Sequence, residues 1–327
     1  MKNILIFLVV LAWGMGLRAQ TGAPAFQYTF NPFYVNPAAA GSDDRTLLHS
    51  FYRSRLSHND WGPSALGLSV DAPAVGGRNG LGFLLHHGQT ENQKVTSATG
   101  SYAIKLPIAE GEGSHIAIGV GLGISHIVSD TVNRIPEDHA YTQFNTRQEI
   151  LGPDARAGIF YTNKHFFAGL SVQNLLSPLT ENVLGADPVV PLPALQYNLL
   201  AGAKLRLYES LEFRPAVLYT HDKLSSGTVN VSASALIKNF QVGTFYRSAL
   251  QRKEPREVVS RNFDNQHAVG FFTGIKATQN LMLGYSLDYP LSNTNGPTFN
   301  AHDLSLRIML SKGKNNYVKG YASEFPF

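Results

Sequence analysis

Cysteine is absent from the 327 residues, so an exported protein of this size holds itself by backbone pairing and packing rather than by disulfides. Charge is scarce as well: Asp, Glu, Lys and Arg make up 15% of the chain, against roughly 25% in an ordinary soluble domain. After the N-terminal segment no run of about 20 apolar residues occurs, which excludes helical membrane spans. Clusters of Lys or Arg are missing, and the formal charge of +4 is scattered, so nothing points to nucleic acid. What abounds is 30 Gly and 14 Tyr among many short apolar segments, a balance suited to a protein with one face in lipid.

The chain opens with Met1, Lys2 and Asn3, an apolar run from Ile4 to Trp13, small residues, and then Leu17-Arg18-Ala19-Gln20. A basic start, a short apolar core and a small residue before the break predict a signal peptide over 1–19, cleaved after Ala19. The alternative is an uncleaved anchor, for which the run is too short to cross a hydrocarbon core of about 30 Å.

Residues 20–44 are rich in Asn and Pro, with Asn31-Pro32 and Asn36-Pro37-Ala38-Ala39-Ala40-Gly41. X-Pro bonds disfavour helix and the glycine ends the segment in a turn, so an ordered strap is expected rather than a domain.

From Arg45 onward the pattern has period two. Ile116, Ile118, Val120, Leu122 and Ile124 alternate with Ala117, Gly119, Gly121 and Gly123, a strand with a large-residue face and a small-residue face. The alternation recurs in Leu66-Leu68-Val70, Leu81-Phe83-Leu85, Tyr102-Ile104-Leu106, Leu281-Leu283-Tyr285 and Leu304-Leu306-Ile308, while Ser286, Asp288, Asp303, Ser305 and Arg307 occupy the opposite faces of the last two. One face suits hydrocarbon and the other water.

Strands of about ten residues between turn signals number about fourteen, an even count that fits a bacterial barrel. The expected segments are 45–57, 61–72, 79–90, 94–107, 114–128, 153–162, 165–173, 195–208, 211–221, 226–237, 239–248, 266–274, 280–290 and 301–311. Together they make an all-β, up-and-down antiparallel outer-membrane β-barrel over 45–311, with a tail over 312–327. Long gaps at Ser129–Gly152, Asn174–Ala194 and Ala249–Asn265 contrast with tight turns at Asn163-Lys164 and Lys238-Asn239. In such barrels long loops face outside and short turns face the periplasm. An open sheet would leave edge amides unpaired in lipid, so a membrane sheet must close. A soluble β-sandwich is the competing architecture. Tyr52, Tyr102, Tyr161, Tyr219, Tyr246 and Tyr289 are candidates for the interfacial girdles.

Several stretches carry a family likeness. Tyr28, Asn31, Asn36-Pro37-Ala38 and Ala40-Gly41 open it, followed by Tyr52-Arg53, Gly62-Pro63 and Ser69-Val70-Asp71-Ala72-Pro73. Pro153-Asp154-Ala155-Arg156-Ala157-Gly158 and Phe167-Ala168-Gly169-Leu170-Ser171-Val172-Gln173-Asn174 follow, then Phe213-Arg214-Pro215, Tyr246-Arg247, Gly284-Tyr285-Ser286-Leu287-Asp288-Tyr289 and His302-Asp303. Over essentially the whole mature length the chain resembles the PorP/SprF family of type IX secretion membrane proteins of Bacteroidetes. The resemblance implies an outer-membrane component of type IX secretion, and in gliding species of gliding motility. Its implied partners are the secretion machinery, outer-membrane lipid and a cognate surface protein bound, exported or anchored through its C-terminal domain. The other functional reading is a porin-like channel for small molecules, suggested by the polar inner faces.

The candidate partner-binding or structural residues are Tyr28, Asn31, Asn36, Pro37, Gly41, Tyr52, Arg53, Asp154, Asn174, Arg214, Arg247, His302 and Asp303. The strap residues either present a fixed surface to a partner or cap turns, and Asn-Pro pairs favour the second reading. Arg53, Arg206, Arg214, Arg247, Asp288, Asp303 and Arg307 lie on or near polar faces, where internal salt bridges are favoured over pairing with a partner. Gly119-x-Gly121-x-Gly123 sits mid-strand with no following helix, unlike a nucleotide loop. His86 and His87 point to opposite faces and cannot share a metal. No Ser, His and acidic constellation stands in a recognisable motif, so neither catalysis nor a cofactor is expected.

Overall fold

A computed structural model describes residues 27–43, 45–56, 61–74, 77–90, 93–108, 114–137, 140–177, 193–222, 227–250, 267–291 and 300–310. The expected signal peptide and C-terminal tail lie outside them. Three short 3-10 turns come first, η1 (Gln27–Thr29), η2 (Pro32–Tyr34) and η3 (Pro37–Ala39). The strands β1 (Thr46–Leu56), β2 (Trp61–Pro73), β3 (Asn79–Gln89), β4 (Gln93–Pro107), β5 (His115–Glu137), β6 (Ala140–Thr162) and β7 (Phe166–Gln173) follow. Then come β8 (Gln196–Ala203), β9 (Leu205–Tyr208), β10 (Leu211–Asp222), β11 (Thr228–Ile237), β12 (Phe240–Ala249), β13 (His267–Lys276), β14 (Leu281–Pro290) and β15 (Asn300–Leu310).

Each strand pairs antiparallel with its neighbour, and the ladder closes where β1 meets β15, from Thr46 opposite Leu310 to Leu56 opposite Asn300. β8 and β9 both lie against β10, Gln196–Gly202 opposite Ala216–Asp222 and β9 opposite Leu211–Phe213. They are two halves of one strand position, so the wall is a closed barrel of fourteen positions with one extra segment. Closure satisfies the backbone amides that an open edge would leave bare in lipid.

Two expected boundaries differ from the structure. The stretch 129–152 is not a loop: β5 and β6 continue paired beyond the wall, from Ser129 opposite Gln148 to Glu137 opposite Ala140. A hairpin outside the lipid needs no apolar face, so its sequence carries no alternation to read. The segment 195–208 breaks at Lys204, whose amide instead donates to the carbonyl of His165 at 2.7 Å, at the turn joining β6 to β7. Below that point, among the described residues, β9 pairs only with β10.

The outer wall is apolar as the alternation requires. Leu122, Ile118 and Ile124 are 69%, 50% and 55% exposed, and Leu66, Leu81, Phe83, Ile104, Leu283 and Leu304 also face outward. Of the expected girdle tyrosines, Tyr52, Tyr102, Tyr246 and Tyr289 are exposed, while Tyr161 and Tyr219 are half-buried. The core sits inside the barrel, where η1 to η3 pack on inward side chains. Tyr28, Phe33, Val35 and Ala38–Ala40 cluster with Leu84, Ala103, Ala117, Phe160, Phe167, Leu200 and Leu218, and Phe30 joins Phe245, Phe272 and Met282.

A strap-filled lumen as the candidate functional site

The strap is built from a five-residue unit used twice. Asn31 and Asn36 each stand in extended conformation before a proline, and each Oδ1 accepts the amide two residues on, from Phe33 at 3.0 Å and Ala38 at 2.9 Å. Proline supplies the fixed φ of the first turn position. With Oδ1 engaged, each Nδ2 is free to reach the wall. Asn31 donates to Ser69 Oγ at 3.0 Å, and Asn36 donates to the carbonyls of Ile159 at 3.0 Å and Leu170 at 3.2 Å, which face each other across β6 and β7. Turn formation and docking are therefore properties of the same two side chains.

Strap carbonyls are answered by inward polar side chains. Arg156 donates to the carbonyl of Phe33 and stacks over that ring at 5.2 Å; Ser171 and Gln173 donate to Val35, and Lys105 to Gly41. Gly41 has φ of +61°, its amide donates to Asp71 Oδ2 at 3.0 Å, and a Cβ there would lie 2.6 Å from the carbonyl oxygen of Ala72. Tyr28, at the far end of the strap, donates to Ser232 Oγ at 3.1 Å. Small wall residues make the groove: a side chain on Gly119 would overlap the backbone of Ala38, and one on Gly158 or Gly169 would overlap Asn36. The small-residue face of β5 is thus the seat of the strap at Gly119, whereas Gly121 and Gly123 accommodate Arg156 and Thr99.

Towards the long-loop end the lumen holds a charged cluster. Arg53 on β1 bonds Asp288 at 2.7 Å and Asp303 at 3.0 Å, and Arg247 on β12 bonds Asp288 at 2.7 Å. Ser286 donates to Asp303 at 2.9 Å, and Arg247 to Asn230 Oδ1 at 3.1 Å. Two arginines and two aspartates balance, as burial demands.

The remaining candidates fall elsewhere. Arg307 faces Asp43 at 3.8 Å, and Arg214 bonds Glu212 at 2.6 Å beside Lys204. Arg206 is exposed on β9 and does not join the inner charges, because its strand has passed the end of β7. Asp154 accepts the amide of Ala155 at 2.8 Å, and Asn174, with φ of 57°, donates to the carbonyl of Ala194. Tyr52 and His302 point outward, the latter bonded to the Tyr285 hydroxyl at 2.8 Å. Sequence reasoning missed Phe33 and Lys105, and had Arg156, Ser171 and Gln173 only within the stretches that carry the family likeness, Arg156 beside Asp154 as an internal charge. The parity of β4 could have found Lys105, since Ile104 and Leu106 beside it face lipid.

A closed antiparallel wall with an apolar outside and a filled, polar-lined inside defines an outer-membrane β-barrel. Residues 17–308 match the family described as type IX secretion system membrane protein PorP/SprF, and the chain belongs to that family. It is a type IX secretion component of the outer membrane. Among curated proteins none matches the sequence. The fold is similar to that of a Pseudomonas aeruginosa FadL homologue, at 10% identity and TM-score 0.52, covering 92% of this chain and 98% of that one. It is also similar to the TodX deltaS2S3 mutant, a monoaromatic hydrocarbon channel, at 11% identity and TM-score 0.56, covering 89% and 96%.

Proposed function

We propose that this barrel binds a cognate secreted surface protein through that protein's C-terminal domain and retains or anchors it at the outer face during type IX export. The observation that carries the reading is the occupied lumen: the strap packs inside the barrel and a charged cluster lines its wall towards the long-loop end, so that end serves as a platform. The β5–β6 hairpin continues past the wall at that end, paired from Ser129 opposite Gln148 onward. In this reading the chain reaches the membrane through a signal peptide removed after Ala19, and in gliding species it serves adhesin presentation.

The test is deletion of the gene with comparison of secreted and surface-attached proteins, paired with affinity capture of a tagged chain from mild detergent. The expected result is loss of one surface protein and capture of that same protein. Unchanged surface proteins, with neither a type IX substrate nor machinery captured, would reject the proposal. A small-molecule channel is the competing reading, favoured by the polar inner faces and by the fold likeness to a hydrocarbon channel. It requires steady conductance.

A further inference from the structure

Five histidines point outward, His126 midway along β5 and His87, His221, His267 and His302 near the long-loop ends of their strands. Each has a neighbour across the sheet or along its strand. His87 bonds Thr96 at 2.8 Å, His126 lies 3.6 Å from Glu149, and His221 stacks on Tyr219. The two that matter most repeat one geometry. Tyr246 on β12 bonds His267 Nδ1 on β13 at 2.9 Å, and Tyr285 on β14 bonds His302 Nδ1 on β15 at 2.8 Å. In both, the histidine stands two residues before the tyrosine's register partner, Val269 in one case and Leu304 in the other. Tyr289, 54% exposed, lies opposite Val269 between the two pairs.

A core packing role does not account for this repetition, because both pairs sit on the lipid side of the wall. A phenol that donates to Nδ1 leaves the proton of the neutral ring on Nε2. Among the described residues neither Nε2 has a hydrogen-bond partner, so in that tautomer each pair offers one N–H donor on the outer face of the wall. Where such a donor reaches the headgroups, it meets the phosphate oxygens of lipid rather than hydrocarbon. A protonated ring keeps the Nε2–H and adds charge, which strengthens the bond to an anionic oxygen.

We propose that the Tyr246–His267 and Tyr285–His302 pairs form a headgroup-binding site for a phosphorylated lipid of the outer leaflet. The inference rests on the outer-membrane orientation and not on the identity of any secreted partner. Loss of partner binding would leave it intact.

The test places the mature protein in phosphatidylcholine nanodiscs doped with diphosphorylated lipid A or with its dephosphorylated counterpart, and native mass spectrometry reads the lipid retained. Wild type should retain the phosphorylated form roughly tenfold better, the factor that one good charge-assisted hydrogen bond carries. His267→Ala with His302→Ala should erase the preference. Tyr246→Phe with Tyr285→Phe, which keeps both rings, should weaken it. Equal retention of the two lipids, or a preference that survives the double histidine variant, would overturn the proposal. So would full competition by excess inorganic phosphate, which would assign the site to a free anion.

Discussion

The Asn36 side chain donates to the carbonyl of Ile159 at 3.0 Å, tying two residues 123 positions apart. The same amide nitrogen reaches Leu170, and the side-chain oxygen closes the local turn on Ala38. Asn36→Ala should therefore lose the turn and the dock together. We expect destabilisation of about 1–3 kcal/mol, read as a lower urea midpoint in detergent. Asn36→Asp keeps the turn acceptor but sets a carboxylate against two carbonyls, and should be at least as damaging.

Space beneath the strap makes a second prediction. Gly119→Val puts side-chain atoms where Ala38 runs, so the strap must shift while the outer wall stays unchanged. Limited proteolysis should cut near residues 27–41 in the variant and spare wild type. Equal protection in both would contradict the docked strap.

The charged cluster should behave as a buried network. Arg53→Ala leaves Asp303 and part of Asp288 without their cation, a loss of about 3–5 kcal/mol. Arg206→Ala, on an exposed site, should stay within about 0.5 kcal/mol. Replacing Arg53 by Met and Asp303 by Leu together should recover much of the loss. Unfolding midpoints of the four proteins decide it.

Facing matters as much as identity on β5. Leu122 is 69% exposed on the outer wall near the middle of the spanning part, so Leu122→Arg should destabilise the barrel in bilayers by about 2–4 kcal/mol. A charge at an outward position that had no effect would argue against the lipid-facing wall.

The wall was legible because a lipid face on one side and water on the other impose alternation, and β3, β4, β5, β14 and β15 all show it. The hairpin over 129–152 was illegible for the converse reason: past the membrane neither face is forced to be apolar. Asn31, Asn36 and Gly41 could be singled out from Pro and Gly chemistry alone. Their dock could not, because Ser69, Ile159 and Leu170 are brought to them only by closure of the barrel. Arg53, Arg247, Asp288 and Asp303 were each visible as inward charges, yet parity gives a facing and not a pairing. Arg206 shows the limit, since a break at Lys204 carries it off the lumen.

The most direct measurement is planar-bilayer conductance of the full mature chain. The account predicts almost no current from wild type, because strap and charged cluster fill the lumen, and step currents once Gly119→Val displaces the strap. A steady ohmic current from wild type would contradict it.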